Sequence, residues 1–129
     1  MNDKKAIVGS FEWADLTVDN TDDIRDFYSD VIGFSFSEVP MGDYNDYCMN
    51  SPTDEQTKVG ICHARGQNSG IPPVWMIYFI VEDLNASIIA VEQGGGQIIS
   101  DIKGNDKNGM YCFIKDPSGA ACALFQKGT

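Results

Sequence analysis

One hydrophobic pattern occurs twice along the chain. "FEWADLTVDN" and "VWMIYFIVED" are both apolar, aromatic-rich runs that end in Val and then acidic residues. Such runs predict β-strands. They fall 63 residues apart, Val18 on Val81. Each is followed by a helix-like segment. In "NTDDIRDFYSDVIGF", Asn20 or Thr21 is placed to cap the helix. Asp22 and Asp23 suit its first turn, and Gly33 stands just past its end. In "EDLNASIIAVEQGGG", Leu84, Ile88 and Val91 have helical spacing and the three glycines stop the helix.

β-type segments follow in both halves. "DYCMNSP" resembles "MYCFIKDP", which sets Tyr47-Cys48 on Tyr111-Cys112. "TKVGICHA" corresponds to "AACALFQK", which sets Gly60-Ile61 on Ala123-Leu124. "SPTDEQ" reads as a hairpin turn and "DIKGNDKNG" as a turn-rich loop at the rim of a pocket. The pattern therefore predicts an α+β fold of two tandem βαβββ modules within one domain. The first covers about residues 8–64 and the second about 74–127. The Gly- and Pro-rich stretch 65–73 links them.

Composition narrows the function. The chain has 129 residues, enough for one domain with a real core. A formal net charge of −10 repels phosphate backbones and anionic membrane surfaces, so no nucleic-acid or membrane partner is expected. No apolar run approaches a membrane span, and "MNDKKAIVGS" lacks the apolar core of a signal peptide, so a cytoplasmic protein is expected. The four cysteines form no C-x-x-C pair and are read as reduced, mostly buried thiols. "EQGGGQ" follows a helix rather than preceding one, so it is not a phosphate-cradling loop.

The paired modules, "RDFYSDVIGF" after the first strand and "KDPSGAACALFQ" near the end resemble the vicinal oxygen chelate superfamily. That group includes glyoxalase I, extradiol dioxygenases, fosfomycin resistance enzymes and bleomycin resistance proteins. "WADLTV" with "PPVWMIYFIVEDL" is most similar to its glyoxalase-like members without an assigned reaction. The resemblance implies a half-open curled barrel of mixed sheet with the helices outside. It also implies four metal-ligand slots, on the first and last strand of each module. Here those slots fall on Trp13, Gly60, Met76 and Ala123. Metalloenzyme members carry His, Glu or Gln there, and none of these four side chains binds a divalent metal in the usual way. No metal and no cofactor is therefore expected.

Strand alternation extends the slots into a cavity row: Trp13, Asp15, Thr17, Gly60, Cys62, Met76, Tyr78, Ala121, Ala123 and Phe125. Small residues leave room and aromatics supply apolar walls, as in small-molecule sites; the competing reading is that Trp13 and Met76 simply fill the empty metal slots and close the barrel. Leu16 and Val18 alternate to the helix side. Tyr47, Met49, Tyr111 and Phe113 fit either face. Asp15, a carboxylate among aromatics, is the candidate acid or base, with Tyr78 or Tyr47 as hydrogen-bond partner. A purely structural Asp15, paired across the strands, is the competing reading. His63, in "GICHARG", is the only histidine. It lies on the opposite parity from Gly60 and is read as a structural strand end. Cys62 beside it would suit a nucleophile, except that adjacent strand residues point apart.

The expected function is metal-independent binding of a small organic molecule, apolar or aromatic, by a homodimer of the glyoxalase/bleomycin-resistance type. The alternative is a small-molecule enzyme (lyase, isomerase or dioxygenase-like) that uses Asp15 as acid or base.

Overall fold

The structure, a computed structural model, describes residues 6–129. Lys4 and Lys5, part of the N-terminal reading above, lie outside the described residues. Contacts divide the chain into two units: Trp13–Trp75, and the stretch up to Glu12 together with Met76–Thr129.

The first unit runs β1 (Phe11–Val18), α1 (Thr21–Ile32), β2 (Ser35–Pro40), β3 (Asn45–Asn50) and β4 (Thr57–His63). This is the expected βαβββ order. The strands lie β2-β3-β4-β1, with β1 parallel to β4 and the other pairs antiparallel. Asn20 flanks the start of α1, but its side chain makes no cap. Thr21 anchors the helix instead: its hydroxyl donates to the carbonyls of Val18 (2.8 Å) and Cys62 (3.2 Å). That ties the helix start to the ends of both parallel strands. Gly33 ends the helix at φ +93°, a left-handed position that favours glycine, and its N–H donates to the Ser29 carbonyl. The helix covers Tyr47, Met49 and Ile61, with Val18, Ile24, Tyr28 and Trp75 around them. "SPTDEQ" is the β3–β4 turn, closed by Ser51 N–H on the Gln56 carbonyl.

The second unit runs β5 (Trp75–Ile80), α2 (Leu84–Gln93), β6 (Gln97–Ile98), β7 (Lys103–Asn105), β8 (Gly109–Lys115) and β9 (Ala121–Gln126). The order is β5-β9-β8-β6, with β5 parallel to β9 and with β7 also pairing to β8. Asp83 caps α2 by accepting from Ala86 N–H at 3.1 Å. Leu84, Ile88 and Val91 then face Cys112, Ile114 and Leu124, as their helical spacing predicts. "KDPSGA" closes β8 onto β9 because the Asp116 carboxylate accepts from the amides of Ser118 and Ala120 and from the Ser118 hydroxyl.

One expectation gains detail and another needs correction. The second module keeps the βαβββ plan with one of its strands in two pieces. The strand expected after α2 is split into β6 and β7, both antiparallel to β8, so part of "DIKGNDKNG" is strand. Between the pieces the Ser100 hydroxyl accepts from Phe113 N–H at 2.9 Å and stands in for a backbone acceptor. The alignment of Tyr47-Cys48 with Tyr111-Cys112 fails. Cys48 pairs with Gly60, whereas Phe113 pairs with Ala123. The structural equivalent of Tyr47 is thus Cys112, one residue beyond the match of letters. No described helix is long and apolar enough to cross a membrane.

Candidate functional site

β1 and β4 build the face of the first unit that lies away from α1. Their parallel register sets Asp15 opposite Gly60 and Thr17 opposite Cys62. Alternation puts Trp13 on the same side as Asp15 and Thr17. The Trp13 indole reaches back over the strand pair, and its Nε1–H donates to Asp15 Oδ2 at 3.2 Å. A Cβ built on Gly60 would stand 3.0 Å from Trp13 Cζ2 and 3.3 Å from Asp15 Cβ. Glycine is therefore what lets the ring lie down on β4. Of the two readings of this position, the one in which Trp13 fills the space holds here: the room left by Gly60 is taken by the indole and does not stand open. Thr17 is buried and Cys62 is partly buried on the same row.

The Cys62 thiol is a poor nucleophile. Burial, first, and then the charges of Asp15 and Asp46 push its pKa well up. The same interactions identify a residue that sequence reading missed. Asp46, on β3, is 7% exposed. Its Oδ1 accepts from His63 N–H at 2.8 Å and lies 3.1 Å from His63 Nδ1. The Cys62 thiol stands beside it. The signal was present in "NDYC": Asp46 alternates with Cys48, which pairs with Gly60. Asp46 therefore belongs to the Gly60 side of the sheet.

Tyr47 does not serve Asp15. Its hydroxyl donates to Asp22 Oδ1 at 2.7 Å on the helix side, under the Arg25 guanidinium. Burial and then the Asp22 carboxylate push the Tyr47 phenol up from its ordinary range. Met49 also packs under α1.

In the second unit the register sets Tyr78 opposite Ala123 and Ile80 opposite Phe125. Tyr111 pairs with Phe125 and Phe113 with Ala123. Tyr78, Tyr111 and Phe113 form a ring cluster with centroids 5.5–5.9 Å apart. The structure thus places Tyr111 and Phe113, which fitted either face, on the Tyr78 side. Met76, Tyr78 and Ala123 are buried, while Ala121 and Phe125 are partly buried. The Phe125 ring lies against Gly109, which has no Cβ to obstruct it. The same offset of 63 therefore governs both units: Asp15 faces Gly60 as Tyr78 faces Ala123. Among the described residues, no three His, Cys, Asp or Glu side chains group to hold a metal ion.

Residues 10–124 match the sequence model of the Glyoxalase/Bleomycin resistance protein/Dioxygenase superfamily. A Mycobacterium bovis protein named "Putative glyoxylase CFP32" is 30% identical over 119 residues, which is 92% of this chain and 46% of that protein. "Anthracycline biosynthesis protein DnrV" of Streptomyces peucetius is 37% identical over 62 residues, 46% of this chain and 22% of that one. The chain thus spans less than half the length of these curated relatives. Methylmalonyl-CoA epimerase from Mycobacterium tuberculosis matches in structure with a TM-score of 0.58 at 15% identity. That match covers 98% of this chain and 93% of the epimerase, and it shows a shared fold.

Proposed function

We propose that this chain, which belongs to the Glyoxalase/Bleomycin resistance protein/Dioxygenase superfamily, binds a small apolar or aromatic molecule without a metal. The observation that carries this is the Trp13 indole laid across Gly60 with its N–H on Asp15. It presents a flat apolar wall with a carboxylate at its rim, the make-up of a small-molecule site. Two positions that the resemblance assigns to metal ligands are here occupied by that indole and the glycine beneath it. In the second unit, Met76, Tyr78, Ala121, Ala123 and Phe125 are proposed as further binding residues, and Thr17 and Cys62 extend the Trp13 row.

The second reading is a lyase, isomerase or dioxygenase-like enzyme with Asp15 as acid or base. It is favoured by the indole donor, which fixes Oδ2 of Asp15 and so orients the carboxylate. We also propose that the two modules act as one domain, in a cytoplasmic homodimer. Four free cysteines support a reducing compartment, and the exposed Phe27, Val31 and Ile32 of α1 offer a surface for a second copy.

The test is a thermal-shift screen of aromatic and small heterocyclic compounds. A ligand at about 100 times its Kd adds roughly 2.7 kcal/mol of stability. Trp13→Ala should abolish the shifts. Hits that survive it would defeat the assignment. Turnover of a hit that is lost in Asp15→Asn would select the enzyme reading.

A further inference from the structure

His63, the sole histidine, ends β4 beside a buried carboxylate. Its backbone N–H and its ring Nδ1 both approach Asp46 Oδ1, at 2.8 and 3.1 Å. An ionised carboxylate only accepts hydrogen bonds, so this contact selects the ring form with a proton on Nδ1, and in the neutral imidazole Nε2 is then the acceptor. Asp46 is itself held to β4 by the His63 amide, with the Cys62 thiol beside it. A second contact pins the ring: Tyr44 meets it edge-on with centroids 4.8 Å apart. The Arg65 guanidinium lies 4.2 Å over Tyr44 and reaches Asp43 at 3.4 Å. The titratable and charged groups around the imidazole are thus Asp46 from β3, Tyr44 and Asp43 from the β2–β3 turn, Cys62 from β4, and Arg65 just beyond it. The His63 side chain keeps 16% of its surface exposed, whereas Asp46 keeps 10%.

We propose that Asp46 and His63 form a general-base dyad that acts on small activated acyl esters. A carboxylate on Nδ1–H holds the tautomer and orientation in which Nε2 takes a proton, and it faces the positive charge that then forms on the ring. The step balances as hydrolysis. Nε2 accepts one proton of a water molecule as the water oxygen bonds to the acyl carbon. The ester C–O bond breaks, and the proton passes to the departing oxygen or to solvent. The products are an acid and an alcohol. This goes beyond the binding function proposed above, and its tests need no ligand on the Trp13 face.

The probe is p-nitrophenyl acetate, read by release of p-nitrophenolate over the buffer rate. His63→Gln should remove the protein-dependent rate, and Asp46→Asn should lower it by about tenfold or more. Because Asp46→Asn also loosens the end of β4, the tautomer is read separately on the unaltered protein. With one histidine in the chain, a long-range proton–nitrogen NMR spectrum shows a single imidazole. The dyad requires a protonated Nδ1 and a bare Nε2. A proton on Nε2 overturns the proposal, and so does a His63→Gln protein that hydrolyses the ester as fast as the original.

Discussion

Gly60→Ala tests the placement of the indole. Gly60 does not occupy the left-handed region, so alanine meets no backbone strain there. Restricting the unfolded chain would by itself stabilise the protein by about 0.4–1 kcal/mol. Against this, the new methyl would stand 3.0 Å from Trp13 Cζ2 and 3.3 Å from Asp15 Cβ. Overpacking of this kind costs about 1–3 kcal/mol. The clash outweighs the entropy gain, and the net loss is about 1–2 kcal/mol. The displaced ring also stretches its 3.2 Å hydrogen bond to Asp15. Urea denaturation measures the loss directly. The decisive comparison repeats the substitution in a Trp13→Ala background, where the nearest clashing atom is gone. There Gly60→Ala should be neutral, or stabilising by up to about 1 kcal/mol. An equal cost in both backgrounds would refute the contact between Trp13 and Gly60.

Thr21→Val keeps the shape of a fully buried side chain but removes the hydroxyl that donates to Val18 and Cys62. It should cost about 1–2 kcal/mol in thermal melts; an unchanged melting temperature would mean the hydroxyl does not anchor α1. Cys62 should react slowly with a disulfide reagent at neutral pH, because burial and neighbouring carboxylates suppress its thiolate. Rapid, selective labelling of Cys62 would contradict that environment. Asp116 is held below its ordinary value of 3.8, first by the Ser118 hydroxyl and then by backbone amides. A depressed carboxyl stabilises the folded chain above its ordinary pKa, and that stability is lost as pH falls through the folded value. Asp116→Asn should therefore lower the melting temperature at neutral pH, with the deficit shrinking once the pH falls below 3.8. A deficit that is constant with pH would disprove the linkage.

Much of the fold was legible because both strands and helices carry strong periodicity. The 63-residue repeat located β1, β5 and both helices, and the structure repeats the same offset in its parallel pairs, Asp15 opposite Gly60 and Tyr78 opposite Ala123. The β3/β8 match failed because identical letters, Tyr-Cys, outweighed register. A one-residue slip sends every side chain to the other face, so Tyr47 packs under α1 while Tyr111 joins Tyr78. The split of β6 from β7 was hidden because it depends on a side-chain hydroxyl replacing a backbone acceptor. At the candidate site, parity placed Trp13, Asp15 and Gly60 together. It did not reveal that the indole folds back over the glycine, which is a rotamer choice rather than a pattern. Asp46 was overlooked for a similar reason. Alternation gives its face, but not that the His63 amide and ring both meet its carboxylate.

A small-molecule site built on Trp13 can be read from the indole itself. The chain has two tryptophans, so Trp75→Phe leaves Trp13 as the sole indole reporter. The most direct measurement titrates that protein with each compound that raises its melting temperature, reads the indole fluorescence, and recovers the compound afterwards. Trp13 emission should change saturably at the concentrations that stabilise the fold, with the compound recovered unaltered. Stabilising compounds that leave Trp13 emission unmoved would contradict a site built on Trp13.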